Sequence, residues 1–366
     1  MAPTKLLITG VTGYIGGSIL FHVLSSIQSR SCDPSLKDIE ISVLTRDDPR
    51  ATYFSSTLNL TVHKISSLDD TTAITSAASQ NDIVIGCTLG YHLASAQAIL
   101  RGLAQRAAQQ TPEPRGVYYI HTDGASNFAD NPPGESTPTS TSKPRTFSDR
   151  DPTIYSYLLA RDKAHPYIQR TVALSVIQTG LELNVPTTII TSPTIYGLGT
   201  GHFNRLSHQY PIQIRSALRD GYASYIGDGT AQWDYVHIAD LAVLYELVLA
   251  DFASGRRALP TGQSGIMFAG TGRFRWREVA EGIARAGVAL GGLRDGEARS
   301  ISAEEAGGKW GGMAPQDVVV GFASDARFES EVAREVLGWR PERTREDWEG
   351  TFVVEVGEVV SEQQGR

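Results

Sequence analysis

The sequence predicts a doubly wound α/β fold, a parallel sheet with helices on both faces and a smaller second lobe after it. Two observations carry this. Residues 5–17, KLLITGVTGYIGG, read as a buried strand (Leu6-Leu7-Ile8), a glycine turn and the start of a helix that continues as SILFHVLSSI. Downstream, the strand-like runs IEISVLTR (39–46), LTVHKI (60–65), DIVIGCTLG (82–90), GVYYIHTDGAS (116–126) and PTTIITS are interspersed with helical stretches such as SAQAILRGLAQRAAQQ and TVALSVIQTGLELN (171–184).

In the opening turn, Gly10, Gly13 and Gly16 are spaced G-x-x-G-x-x-G. Glycine allows a sharp turn, lets a pyrophosphate approach main-chain N–H groups, and lets the helix pack close to the strand. Phosphates would rest at the positive end of the helix, so Thr12, Tyr14 and Ile15 join the three glycines as the predicted cofactor-binding turn. With Thr9 included, TGVTGYIG resembles the opening of the extended short-chain dehydrogenase/reductase family, whose members bind NAD(P) at this point on a Rossmann-type sheet.

At the tip of the second strand a dinucleotide fold places the group that meets the adenine ribose. An acid favours NAD, and a cation pairs with the 2′-phosphate of NADP. Thr45 and Arg46 stand there, which points to NADP(H), with Asp47 and Asp48 next in line to serve a ribose and so NAD(H). Asp69 and Asp70 follow the third strand and suit a helix N-cap. The fourth strand ends in Gly86, Cys87 and Thr88, small side chains that leave room for the nicotinamide side of the cofactor. At the fifth strand tip the resemblance implies a hydroxyl that holds the substrate oxygen, Thr122 or Ser126, with Thr122 nearer the strand end.

The Tyr-x-x-x-Lys of most short-chain dehydrogenases is missing. In that motif lysine lowers the tyrosine pKa and grips the nicotinamide ribose while the phenol moves a proton. Family landmarks at Gly180, Pro186 and Pro193 place the lysine slot at Gln169 or Arg170 and the tyrosine slot at His165 or Pro166. Tyr167 and His165 are the candidate proton donors, Arg170 the candidate ribose contact; Tyr157 with Arg161 has the motif's spacing earlier in the chain. Residues 127–153, rich in Pro, Ser, Thr and Asp, read as a long loop beside the pocket.

Pro193-Thr194-Ile195-Tyr196-Gly197 is similar to the family's Pro-x-x-Val-Tyr-Gly turn, which implies that Pro193 meets the nicotinamide; Ser192 stands where an arginine is common. Beyond it, VHIADL resembles the family's strand before an aspartate-started helix, giving Asp240 a helix-start role and His237 a structural one. IMFAGTGRFRWREVAEGIA and EVLGWRPERTREDW resemble its closing unit. Tyr155, Tyr157, Tyr196, His202, Phe203 and Trp233 are the expected aromatic lining of a substrate pocket.

The 366 residues suit a nucleotide-binding domain over 1–195, with 127–153 as an insertion, and a partly interleaved substrate lobe over 196–366. A net charge of −7 gives no nucleic-acid footprint. Cys32 and Cys87 have no metal-type spacing, so neither a metal site nor a disulfide framework is expected. The chain opens directly on its first strand and has no apolar run of membrane-span length, which leads to a cytoplasmic expectation. The function expected is an NADP(H)-dependent oxidoreductase acting on a carbonyl or alcohol of a small, fairly apolar molecule, with homodimerisation implied by the resemblance. The alternatives are a non-redox isomerase, epimerase or lyase on the same scaffold, or a non-catalytic NADP(H) sensor.

Overall fold

The computed structural model describes residues 3–109, 116–130 and 144–364. Seven parallel strands form the main sheet: β1 (Lys5–Ile8), β2 (Glu40–Thr45), β3 (Thr61–Lys64), β4 (Ile83–Gly86), β5 (Tyr118–Gly124), β7 (Thr187–Ser192) and β11 (Ile266–Phe268), with β6 (Thr146–Ser148), β8 (Thr194–Tyr196), β9 (Ala223–Ile226) and β10 (Gln232–His237) lying elsewhere. The order β11-β7-β5-β4-β1-β2-β3 reverses direction at β1, because the chain runs outward to β3 and then returns to β4 on the other side. The crevice outside the carboxyl ends of β1 and β4 is therefore the switch point, where open α/β sheets bind ligands.

Strand alternation divides the core. Tyr119 of β5 packs with Val84, Ile99 and Val172 beneath the helices Leu93–Gln109 and Ile168–Glu182. Tyr118 and Ile120 pack with Ile19, Leu241 and Val248 against the helices Tyr14–Ser29 and Ile238–Ala253. Fully buried parallel strands account for the nearly continuous apolar reading of β1 and β4.

The C-terminal half both completes this sheet and builds a second body. β11 adds its edge strand, whereas β8, β10 and β12 (Gly272–Arg275) form a separate three-stranded sheet. β13 (Ala298–Ile301) pairs with β9, and β14 (Arg327–Glu329) with β6. That last pairing corrects the reading of 127–153 as one loop. Phe147 of β6 is buried against Phe128 and Tyr157, so burial overrides the polar composition around it. Positions 131–143 of that stretch lie outside the described residues.

Asp70 caps the helix Thr71–Ala78 by accepting from the Ala73 amide. His237 caps the helix Ile238–Ala253 through Nδ1, whereas Asp240, expected to start that helix, accepts from the Glu342 and Arg343 amides and ties down the C-terminal segment. Among the described residues no helix is long and apolar enough to cross a membrane.

One buried carboxyl joins the two bodies. Glu355, on the helix Arg345–Gln364, accepts from the Gly197 amide over 2.9 Å, while Tyr14 donates to the Gly197 carbonyl over 2.6 Å. Burial pushes the Glu355 carboxyl up to about 8, opposed by the Gly197, Thr351 and Ser207 hydrogen bonds. The folded protein thus keeps a proton that the unfolded chain releases near 4.5, so stability from this group falls as pH rises from about 4.5 to 8 and then levels. Glu355→Gln keeps an acceptor for Gly197 without the charge. It is expected to gain about 1–3 kcal/mol at pH 8 and little at pH 5; urea unfolding at the two pH values checks this, and an equal effect at both would contradict it.

Candidate functional site

The glycine turn is shaped by a close backbone crossing. Gly10 has φ +69°, and a Cβ there would lie 2.2 Å from the Cys87 carbonyl oxygen at the end of β4. Thr9 holds the two tips together: its amide donates to the Ile85 carbonyl over 3.0 Å and its hydroxyl accepts from the Cys87 amide over 3.2 Å. A Cβ on Gly16 would lie 2.5 Å from the Gly10 carbonyl oxygen, so the helix Tyr14–Ser29 sits directly on the turn. Gly13 starts that helix in extended conformation, with no side-chain cap and no acid in the first turn. Its uncapped end suits an anion.

A cleft of about 280 Å³ opens from this turn and brings together Gly10, Thr12, Gly13, Arg46 and Thr88 of the predicted cofactor set. Leu44, Ile65 and Leu68 form an apolar wall suited to a flat base. Asp47 caps its own helix at the Arg50 amide and pairs with the Arg50 guanidinium at 3.2 Å; Asp48 pairs with Lys64. Arg46 is exposed, with no hydrogen bond or ion pair to another described residue. Amides, apolar wall and cation fit a nicotinamide dinucleotide. Tyr14 turns its ring away from the cleft toward Gly197, Ile15 is half-buried, and Pro193 is buried between β7 and β8.

At the β5 tip, alternation sends Thr122 and Asp123 to opposite faces. The Thr122 hydroxyl is 2.6 Å from the Tyr245 hydroxyl and 3.2 Å from Cys87 Sγ, with 9% of the residue exposed. It is spent inside the fold, which corrects the expectation that it meets the substrate oxygen. Burial pushes the Cys87 thiol up to about 12 against the Thr122 hydrogen bond. Asp123 faces the other way, and sequence reasoning missed it. It accepts from Gln169 Nε2 over 3.0 Å and from Asn127 Nδ2. Burial pushes its carboxyl up to about 7, opposed by the Gly124 amide and by Gln169 and Asn127. A carboxylate at the carboxyl end of a central strand was the available signal.

Ser126, the second hydroxyl of that tip, donates to Gln169 Oε1 over 3.0 Å. Gln169 occupies a niche beside Gly90 and Gly124; a Cβ on Gly124 would be 2.6 Å from Gln169 Nε2. Across the β5–β7 pairing, Thr191 stands opposite Asp123 and Ser192 opposite Gly124. The buried hydroxyls of Thr191, Ser192 and Thr194 have no partner among the described residues.

Other placements differ from expectation. Arg170, expected at the ribose, is 1% exposed and donates to Asp162, the Asn127 carbonyl and the His165 carbonyl, a scaffold role that a long, fully used guanidinium serves. His165 ends the helix Ile154–Ala164, its amide donating to the Arg161 carbonyl. Tyr167 begins the next helix, its amide held by Asp162.

The six aromatic pocket residues do not share a pocket. Tyr155 and Tyr157 lie on the helix Ile154–Ala164, Tyr157 against Phe147; Tyr196 packs on Tyr235 and His237. His202 stacks on Tyr53 at 4.1 Å with Phe203 beside them, and Trp233 packs on Trp276. Apolar groups that do flank the site are Leu89, Tyr91 and Ile168, 49%, 53% and 56% exposed around Gly90 and Gln169.

Residues 151–259 match the NAD dependent epimerase/dehydratase family. The oxidase ucsJ of an Acremonium species is 26% identical over 350 residues, 92% of each chain. The dTDP-glucose 4,6-dehydratase DesIV of Streptomyces venezuelae, solved with NAD and TYD bound, superposes with a TM-score of 0.65 at 15% identity, covering 99% of this chain and 98% of its own. A UDP-glucose 4-epimerase of Thermotoga maritima, solved with UDP-glucose, gives 0.61 at 14% identity, covering 99% and 100%. Residues 151–259 are thus similar to the NAD dependent epimerase/dehydratase family, and the chain as a whole shares the fold of these solved dehydratase and epimerase structures.

Proposed function

We propose that this chain is an NADP(H)-dependent oxidoreductase acting on a carbonyl or alcohol of a small, fairly apolar molecule, working as a cytoplasmic homodimer. The observation that carries the cofactor reading is the Arg46 guanidinium at the edge of the dinucleotide cleft while both neighbouring acids are tied to other cations. Two aspartates engaged in this way are poorly placed to serve a ribose. A free arginine suits a phosphate. Leu89, Tyr91 and Ile168 favour a substrate with an apolar body. The partnerless hydroxyls of Thr191, Ser192 and Thr194 offer hydrogen bonds at the deep end, where nicotinamide would lie.

When bound, the nicotinamide supplies or accepts the hydride. The chain's own groups cradle the pyrophosphate at Gly10, Thr12 and Gly13 and seat the base between Leu44, Ile65 and Leu68. Ser126 takes the hydroxyl role expected of Thr122, and Tyr167 and His165 are the candidate acids.

A second reading is favoured by the absence of lysine from both positions expected for it, Gln169 and Arg170: an isomerase, epimerase or lyase that holds and recycles its nicotinamide. The named activities of the two solved relatives, a dehydratase and an epimerase, agree with that possibility. Product formed with no net change in NADPH absorbance would select it.

Two outcomes test the cofactor reading. NADPH is expected to bind at least about tenfold tighter than NADH, and Arg46→Ala to weaken NADPH about tenfold or more while leaving NADH within about twofold, as loss of a charge-assisted phosphate contact requires; fluorescence titration of both dinucleotides reads this, and equal losses would contradict it. Gly10→Ala forces a Cβ into the Cys87 carbonyl at an unfavourable φ. It is expected to abolish dinucleotide binding in the same titration, and retained affinity would show that the turn is not the cradle.

A further inference from the structure

Just past β2 the cleft carries an acid as well as a cation. Asp47 lines it directly after Arg46, where a free carboxylate would accept from the ribose hydroxyls of NAD(H). Both of its oxygens are committed to one neighbour. Oδ1 accepts from the Arg50 amide over 2.8 Å as the cap of the helix Asp48–Thr52, and Oδ2 lies 3.2 Å from Arg50 Nε as an ion pair. The cap fixes the carboxylate in place, and the guanidinium neutralises it. The ion pair is the weaker tie, because the two side chains are 44% and 41% exposed and a pair so open to water contributes little by itself.

A residue from the far side of the chain seats Arg50. Its guanidinium carbon is 5.5 Å from the centroid of the Phe203 ring, on the segment that follows β8. Phe203 meets Tyr53 at 5.3 Å and the fully buried Phe54 at 5.6 Å, both edge to face, and His202 stacks on Tyr53. Tyr53 and Phe54 continue directly from the helix that bears Arg50. The segment with Phe203 closes on itself: the Gly199 amide donates to the Arg205 carbonyl over 2.8 Å and Arg205 Nε to the Gly199 carbonyl over 2.9 Å. Gly201 rests on the Gly17 backbone. The ring is therefore fixed from both sides, and a cation over its face has a defined place.

We propose that Arg50 is a specificity-determining residue that selects NADP(H) by masking Asp47, and that Phe203 holds it in the masking position. This rests on the NADP(H) reading and goes beyond it, since Arg46 accounts for attraction of a 2′-phosphate but not for rejection of NAD(H). With Arg50 in place, Asp47 has no uncommitted oxygen for the ribose hydroxyls, and the pair carries no net charge to repel the phosphate. Without it, Oδ1 still caps the helix while Oδ2 stands free and charged at the cleft. It is then an acceptor for the diol of NAD(H) and a like charge against the 2′-phosphate of NADP(H). A mask differs from a phosphate ligand in one respect: its removal strengthens one dinucleotide as it weakens the other.

Fluorescence titration of NADPH and NADH against the full-length protein and three variants, at one fixed ionic strength, reads this directly. Arg50→Ala is expected to weaken NADPH about fivefold or more and to tighten NADH about threefold or more, as an unmasked carboxylate at the ribose requires. Adding Asp47→Asn to Arg50→Ala keeps the cap and removes the charge, and is expected to return both affinities to within about twofold of the wild type. Phe203→Leu leaves every charge in place and is expected to move the preference toward NADH by about two- to fivefold, the worth of an exposed cation–ring contact. An NADH affinity unchanged in Arg50→Ala would overturn the masking. So would an NADPH loss that persists in the double variant, because Arg50 would then be a direct ligand of the phosphate. A preference unmoved by Phe203→Leu would overturn the role given to the ring. Wild-type protein that binds neither dinucleotide, or both equally, would instead sink the NADP(H) reading, and that result is read before any variant.

Discussion

The approach of two backbones, Gly10 against the Cys87 carbonyl, is the constraint on which the rest of the site depends. No side chain can occupy that crossing, and only the left-handed backbone of Gly10 directs the chain back under the helix it begins. The result is a helix end set over the gap between the carboxyl ends of β1 and β4. Main-chain N–H groups and helix dipole then act together on whatever anion enters. Thr9 fixes this crossing from beneath, and Gly16 lets the helix settle onto it.

The same helix is held from above by the second body of the chain. Tyr14 and Glu355 grip the two ends of the Gly197 peptide, and Gly201 passes close to the Gly17 backbone. A segment from beyond the main sheet is thereby pressed on the first turn of the nucleotide helix, and a single buried carboxyl on the C-terminal helix supports it. The arrangement couples the placement of the cradle to packing more than 300 residues away in sequence. It also explains why a carboxyl is tolerated in a core otherwise built from Tyr210, Trp348 and Phe352: it remains neutral, and the Gly197 amide satisfies one of its oxygens.

Much of the scaffold was legible because it depends on local pattern. Leu6-Leu7-Ile8, the spaced glycines and the apolar run ending at Gly86 identify themselves, and all sit where their period and turn chemistry place them. Features decided by tertiary neighbours were not. Whether Thr122 or Asp123 points toward Gln169 is a matter of strand alternation by one residue. Arg170 was expected to reach a ribose, but the half-buried Asp162 and two carbonyls claim it first. Six aromatics grouped by residue type disperse through the packing: Tyr155, Tyr157, Tyr196 and Trp233 join one core cluster, and His202 and Phe203 group with Tyr53 beside the other. The strand β6 was hidden because its partner, β14, lies about 180 residues later. Gln169 was visible as a departure from the lysine expected, but its role appears only when Gly90 and Gly124 are seen to make room for its amide.

The proposed function requires main-chain amides beside the Gly10 crossing to grip a dinucleotide pyrophosphate. A crystal structure of the protein with NADP⁺ tests it most directly. Pyrophosphate oxygens are expected about 3 Å from the amides of the Thr12–Tyr14 turn, with the 2′-phosphate against Arg46 and the nicotinamide extending toward Ser126 and Tyr167. Pyrophosphate bound elsewhere, or a cradle closed by side chains with the dinucleotide excluded, would contradict it.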